Sequence, residues 1–350
     1  MHRIVKGRSC ERKLGIRGHM NIASREVRLA SRPTGTPTRE NFELAEVKLS
    51  TLADGHVRVR NLWMSVDPYM RGRMRDYESY LPPFQIGQAL EGAAVGEVLE
   101  SNDPEFRVGD IVLSMLGWRE IFDTAPLALR RPPAPVASPE MYLGVCGNTG
   151  HTAYIGLTDT IFLEKGDVIF ISAAAGAVGS IACQIARVLG ATVIGSAGGA
   201  EKIEYLHSIG VEHVIDYKSV GDMTQALRDV APDGIDAYFD NVGGDHLDAA
   251  LACARNFARF ALCGMISGYN GETARPRNLL MAIEKRLLLQ GFLVSDHLSD
   301  RAAFIKRMDE WLRSGEITFR QTVEHGIEQA PAAFLKLFSG ENIGKMLVKL

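Results

Sequence analysis

The residues with the clearest chemical potential are Ala174-Ala175-Gly176-Ala177-Val178-Gly179. They follow an apolar run over 167–172. After them Val178, Ile181, Ala182, Ile185, Val188 and Leu189 recur at helical spacing. A glycine turn between a buried strand and a helix offers backbone N–H groups and the positive end of the helix to a phosphate. The pattern is G-x-G-x-x-G with alanine in first place. Gly176 would admit a pyrophosphate, and Gly179 would let helix and strand pack closely. The next strand ends in Gly195-Ser196-Ala197-Gly198-Gly199-Ala200-Glu201-Lys202. A carboxylate at that strand end would hold a ribose 2′-hydroxyl; none is there, and Lys202 offers a cation to a 2′-phosphate instead. The segment therefore favours NADP(H), with Glu201 read as a solvated acid at a helix start.

Metal chemistry is poorly served. The nine histidines form no HxxxH, and Cys10, Cys146, Cys183, Cys253 and Cys263 form no CxxC. An odd, scattered set of thiols reads as reduced cysteines of a cytoplasmic protein, and no metal is expected. A hydride acceptor must then be activated without a Lewis acid. A conjugated C=C–C=O unit fits: hydride adds to the β-carbon, and charge collects on the carbonyl oxygen, where a hydrogen-bond donor stabilises it.

These residues need elements to position them. The 350 residues suffice for two domains, and 39 basic against 42 acidic residues give no concentrated positive face for nucleic acid. No membrane span is expected, because the uncharged stretch 168–186 contains Ser172, Gly176, Gly179, Ser180 and Gln184 and changes period halfway. Residues 26–123 read as short strands, among them 57–60, 93–99 and 110–113, and the proline-dense stretch 132–139 reads as a connector. Beyond it, strand-like runs at 167–172, 192–197, 213–216, 235–240, 258–263 and 287–292 alternate with helical patterns. That alternation predicts an α/β fold with a doubly wound parallel sheet. A helix is expected at 300–313, then a strand (318–323), a helix (331–338) and a last strand (345–349) that return to the texture of the first region. Residues 1–24 carry Arg3, Lys6, Arg8, Arg12, Lys13 and Arg17 against Glu11 with no apolar segment. They read as a flexible extension, not a secretory signal.

The run Ser65-Val66-Asp67-Pro68-Tyr69-Met70-Arg71-Gly72-Arg73-Met74 resembles a segment of the zinc-independent medium-chain dehydrogenase/reductases. The likeness is to the leukotriene B4 12-hydroxydehydrogenase/prostaglandin reductase group, with its plant double-bond reductases and bacterial NADPH-dependent curcumin reductases. It extends through residues 147–156, 173–179, 198–202, 240–244, 263–270, 290–294 and 340–349. The resemblance implies a Rossmann domain over 146–319, inserted in a GroES-like mixed β substrate domain over 25–145 and 320–350. It implies that Gly176, Ala177, Val178 and Gly179 meet the pyrophosphate, and that Lys202 and Tyr217, of a Tyr-Lys pair, hold the 2′-phosphate. Asn241, Cys263, Gly264, Tyr269, Phe292, Leu293, Val294 and Asn342 would surround the nicotinamide half. Tyr269 would donate to the enolate oxygen, and Tyr69 and Arg71 would line the substrate mouth. NADPH-dependent reduction of an enone or enal by a homodimer is the activity implied. A quinone reductase and a non-catalytic NADPH-binding protein are the alternatives.

Two features of the residues stay open. Arg71, Arg73 and Arg75 alternate as on one solvated strand face. His151 stands where the group has an apolar residue, and reads as a hydrogen-bonded packing histidine or a polar pocket residue.

Overall fold

The computed structural model describes residues 22–271 and 275–350. Most of the expected N-terminal extension lies outside them, but residues 22–24 belong to the first strand. In that strand, β1 (Ile22–Leu29), Val27 and Leu29 are fully buried, and it pairs antiparallel with β2 (Phe42–Leu49). Then come β3 (Val57–Ser65), β4 (Ala94–Ser101), β5 (Ile111–Ser114) and β6 (Ile121–Thr124). The middle of the chain supplies β7 (Val168–Ile171), β8 (Thr192–Ala197), β9 (His213–Asp216), β10 (Ile235–Asp240), β11 (Ala254–Leu262) and β12 (Leu288–Gly291). The tail supplies β13 (Gln321–His325) and β14 (Lys345–Lys349).

The fold is α/β, with a parallel Rossmann sheet and a separate mixed β sheet. In the mixed sheet the order is β13-β14-β3-β4-β5, with β6 also on β3. Strand β14 runs antiparallel to β3, placing Leu347 opposite Ser65, so segments before and after the parallel sheet share one mixed sheet. Its core closes around Trp118, which stacks on Phe42 at 6.0 Å and meets Phe334 edge-on at 6.1 Å.

The second sheet has the order β12-β11-β10-β7-β8-β9, every pair parallel. Consecutive residues Ile169, Phe170 and Ile171 are all fully buried, the mark of a strand covered on both faces. Helix Gly179–Val188 packs Ile181, Ala182 and Ile185 on one face; helices Met223–Val230 and Gly244–Cys253 pack Leu227, Leu247 and Leu251 on the other. The chain leaves β7 toward β8 on one side and returns to β10 on the other. A crevice therefore opens at the carboxyl ends of β7 and β10, where such sheets bind ligands.

The expected tail strand is shifted. It begins at Gln321 because Thr318 is held elsewhere. Its N–H donates to Gln184 Oε1 at 2.8 Å, and its carbonyl accepts from Gln184 Nε2 at 2.9 Å. Helix Gly179–Val188 thus captures the returning segment.

Candidate active site

The turn after β7 is built around Ala173, whose φ of 47° reverses the chain and whose carbonyl accepts the Gly176 N–H at 2.9 Å. A Cβ on Gly179 would lie 2.3 Å from that carbonyl oxygen and 2.8 Å from Ala174 Cα, so only glycine fits. Ala174, in the motif's first place, is buried against Gly195 of β8, where a Cβ on residue 195 would come within 3.0 Å of its own. Ala177 and Val178 complete the turn and lead into the N-terminus of helix Gly179–Val188. From the tail, the Gly344 N–H donates to Ala175 O at 2.8 Å. The mixed sheet thus touches the phosphate-type turn directly.

At the ends of β8 and β9, Tyr217 and Lys218 lie over Gly198. A Cβ there would meet Tyr217 Cζ at 2.9 Å and Lys218 Cε at 2.8 Å. Lys202, in helix Ala200–Ser208, is half-buried. Burial first, and Lys218 second, lower the pKa of its ammonium. The Asp216 carboxylate at the end of β9 accepts the Gly199 and Lys218 N–H groups at 3.2 and 3.0 Å. Glu201 is not simply solvated: its carboxylate pairs with Arg320 at 2.9 Å. Two ammoniums and a phenol therefore gather beside a carboxylate that already has a countercharge.

The other end of the crevice is organised by Asp240, fully buried at the end of β10. Its Oδ1 accepts from Tyr238 Oη (2.7 Å), Ser172 Oγ (3.2 Å), Val242 N (2.9 Å) and Gly243 N (2.8 Å). Burial still raises its pKa, against the pull of those donors. Asn241 ties β10 to β7, its Nδ2 donating to Ser172 O at 2.8 Å. Cys263 and Gly264 both donate their N–H to Asp240 O, at 2.9 and 3.0 Å. Burial pushes the Cys263 thiol up to about 12, so it is no nucleophile at neutral pH. The Tyr269 hydroxyl lies over Gly264, 3.3 Å from where a Cβ would stand. Burial raises its pKa, which keeps the phenol protonated. Phe292 packs edge-on against Phe239 at 6.1 Å; Leu293 is exposed and Val294 half-buried at the start of the next short helix. Asn342 turns its Nδ2 to Gly344 O at 3.0 Å.

The mixed sheet contributes the opposite wall. Residues 69–74 do not form a strand face; Met70–Arg73 is a helical turn, since Pro68 and the Asp67 carbonyl start a chain reversal. Arg71 and Arg73 are only 2% and 7% exposed. Arg71 donates from Nε to Asn270 Oδ1 at 3.1 Å and from Nη2 to Gly35 O at 2.7 Å. It therefore braces the residue after Tyr269 and does not line an open mouth with its guanidinium. Arg75 donates to Tyr269 O at 2.7 Å. Tyr69 is half-buried against the mixed-sheet core, and burial raises its pKa. Tyr80 was not anticipated: its side chain is largely exposed, yet desolvation by the surrounding wall, with Tyr269 and Cys263 close by, pushes its phenol up to about 12. Lys345, 5% exposed, donates to Val66 O (3.0 Å) and pairs with Asp67 (2.9 Å), fixing the run that carries Tyr69 and Arg71.

His151 fits neither expectation. It is fully buried, stacks on Phe304 at 4.7 Å, and neither ring nitrogen has a hydrogen-bond partner.

Two family models match the chain: an N-terminal domain of oxidoreductases over residues 25–129 and a zinc-binding dehydrogenase domain over 177–312. The tobacco (Nicotiana tabacum) 2-alkenal reductase (NADP(+)-dependent) is 40% identical over 93% of this chain and 97% of its own length. The NADPH-dependent curcumin reductase of Escherichia coli is 37% identical over 95% and 99%. The chain belongs to the zinc-independent medium-chain dehydrogenase/reductases of the prostaglandin reductase group. Among solved structures, CurA from Vibrio vulnificus in complex with NADPH superposes on this reductase-group chain with a TM-score of 0.87 at 39% identity, covering 93% of the chain and 98% of its own. Among the described residues, no three His, Cys, Asp or Glu side chains are grouped to hold a metal. What the sequence missed in this family member is the Asp240–Tyr238–Ser172 network and the Arg320–Glu201 pair. Both depend on residues far apart in the chain, and the only local signal was a lone Asp at the end of an apolar strand.

Proposed function

We propose that the protein reduces the C=C bond of α,β-unsaturated ketones and aldehydes with NADPH. The observation that carries this reading is the Tyr269 phenol, held protonated beside Gly264 at the crevice that the glycine turn also faces. The residues fit the coenzyme: Gly176 and Gly179 leave room where a Cβ would crowd the turn, and Lys202, Tyr217 and Lys218 offer charge and a hydroxyl to a 2′-phosphate. Asn241, Cys263, Gly264, residues 292–294 and Asn342 would flank the nicotinamide half. Bound there, NADPH supplies a hydride to the β-carbon.

The chain's own groups do the rest. Tyr269 Oη donates to the carbonyl oxygen as charge develops on it; one such preorganised donor is worth roughly 3–4 kcal/mol. Arg71 and Arg75 hold the 269–270 segment from the other sheet, and Tyr69 and Tyr80 give the substrate side an aromatic wall. The names of the tobacco and Escherichia coli relatives support both coenzyme and reaction class.

A homodimer is part of the proposal. Strand β12 leaves one edge of its sheet unpaired among the described strands. Close to it in sequence stand Leu279, Leu280, Ile283 and Leu288, which are 43–75% exposed. An open edge flanked by apolar side chains favours pairing with a second copy. Light scattering on the purified protein tests it. Among the described residues no helix is long and apolar enough to cross a membrane. A cytoplasmic location is our reading of the unpaired thiols Cys146, Cys183, Cys253 and Cys263.

The experiment is NADPH oxidation against a panel of enals, enones and quinones, with and without chelator. Turnover of enones that chelator leaves unchanged is expected. Turnover of quinones alone would replace the reading with a quinone reductase, and no turnover across the panel would leave a coenzyme-binding protein.

A further inference from the structure

Glu201 is a carboxylate one residue from Lys202, on the helix turn that should meet the 2′-phosphate. Uncompensated, it would repel that group. Its partner Arg320 comes from the other domain's tail segment, 119 residues away, with Nη2 donating to Oε1 at 2.9 Å. The position of Arg320 is fixed by backbone. Its carbonyl accepts the Lys345 N–H at 3.0 Å and lies 1.9 Å from where a Cβ on Gly344 would stand, so residue 344 must be glycine. Gly344 in turn donates to Ala175 of the phosphate-type turn. The guanidinium also sits over the Tyr205 ring at 5.6 Å, which holds its stem to helix Ala200–Ser208. The same tail covers Lys202, whose Nζ is 3.7 Å from where a Cβ on Gly340 would lie.

We infer that Arg320 is a coenzyme-specificity residue: by neutralising Glu201 it allows Lys202 and Lys218 to act on a 2′-phosphate. Against the two ammoniums stand the Asp216 carboxylate and, if unpaired, that of Glu201, which together would cancel the attraction for a dianionic phosphate. With the Glu201 carboxylate countered, the local charge at the turn rises by one. Arg320 acts through Glu201 and is a positioning and charge-balancing residue, not a catalytic one. The inference rests on the proposal that the 2′-phosphate docks at Lys202.

The test measures calorimetric binding of 2′,5′-ADP and of 5′-AMP to the full chain, beside KM and kcat for NADPH and NADH. Arg320→Gln is expected to weaken 2′,5′-ADP by about fivefold, the size of one lost countercharge at a solvent-exposed site. It should leave 5′-AMP and kcat unchanged and raise KM for NADPH alone. Glu201→Gln added to Arg320→Gln should restore 2′,5′-ADP affinity, and Arg320→Lys should retain it. Equal losses for the two nucleotides, or no recovery in the double variant, would make Arg320 a merely structural tether and overturn the inference. Lys202→Ala separates the two levels. If Lys202→Ala weakens 2′,5′-ADP selectively and Arg320→Gln does not, only the inference fails. If Lys202→Ala weakens neither nucleotide, the phosphate docks elsewhere and both readings fall.

Discussion

Replacing His151 by methionine should stabilise the protein, and more so in acid. Burial, reinforced by the charges of Arg301 and His297, lowers the His151 pKa from 6.5 to about 4. The folded value lies below the unfolded one, so as pH falls protons bind the unfolded chain first. This histidine costs nothing by titration above about pH 6.5, and stability is lost as the pH drops toward 4. For a pKa of about 4 in the folded state and 6.5 in the unfolded state, linkage gives a loss of about 2 kcal/mol at pH 5. At neutral pH a second effect acts alone: both ring nitrogens are buried without partners, a penalty of about 1–3 kcal/mol, partly offset by the stack on Phe304. Methionine fills a similar volume and keeps a favourable sulfur–aromatic contact. Urea unfolding should therefore find His151→Met more stable than the parent by about 1 kcal/mol at pH 7.5 and by about 3 kcal/mol at pH 5. His246, also lowered to about 4, is common to both proteins and cancels in the difference. A gap that stays the same at the two pH values would refute the reasoning.

Two further outcomes are expected. Tyr269→Phe should lower kcat for enones by about one to three orders of magnitude with little change in KM for NADPH. Because burial raises the Tyr269 pKa, kcat at saturating NADPH should hold through the range in which a free phenol titrates; an unchanged kcat in the variant would pass the donor role to solvent or Tyr69. Gly344→Ala must adopt a φ of +65° with its Cβ 1.9 Å from the Arg320 carbonyl oxygen; a thermal melt should show a loss of about 2–4 kcal/mol, and a melt like the parent's would contradict the described tail geometry.

The parallel sheet was legible because its strands are short apolar runs separated by amphipathic helices; 192–197, 213–216 and 235–240 match β8, β9 and β10 residue for residue. Strands β1 and β2 were harder, since β1 alternates only loosely and β2 buries little besides Phe42 and Ala45. Arginines at 71, 73 and 75 mimic a strand period, yet the chain turns there and buries two of them by giving their donors carbonyl, amide and carboxylate partners. The glycine turn and Lys202 could be read locally because backbone geometry and charge at a strand end are sequence-near properties. What makes Glu201 compatible with a phosphate is Arg320, and no periodicity points from one to the other. His151 was misread for the same reason: its neighbours, Phe304 and Arg301, lie in a helix that folding brings over it.

The central claim is hydride delivery from NADPH to the β-carbon of a polarised alkene. It is tested most directly with NADPH deuterated at C4 of the nicotinamide and a simple aliphatic enone, the product being analysed by NMR. Deuterium at the β-carbon of the saturated ketone, with a solvent proton at the α-carbon, is the result expected. Deuterium at the carbonyl carbon, or equal turnover with NADH, would contradict it.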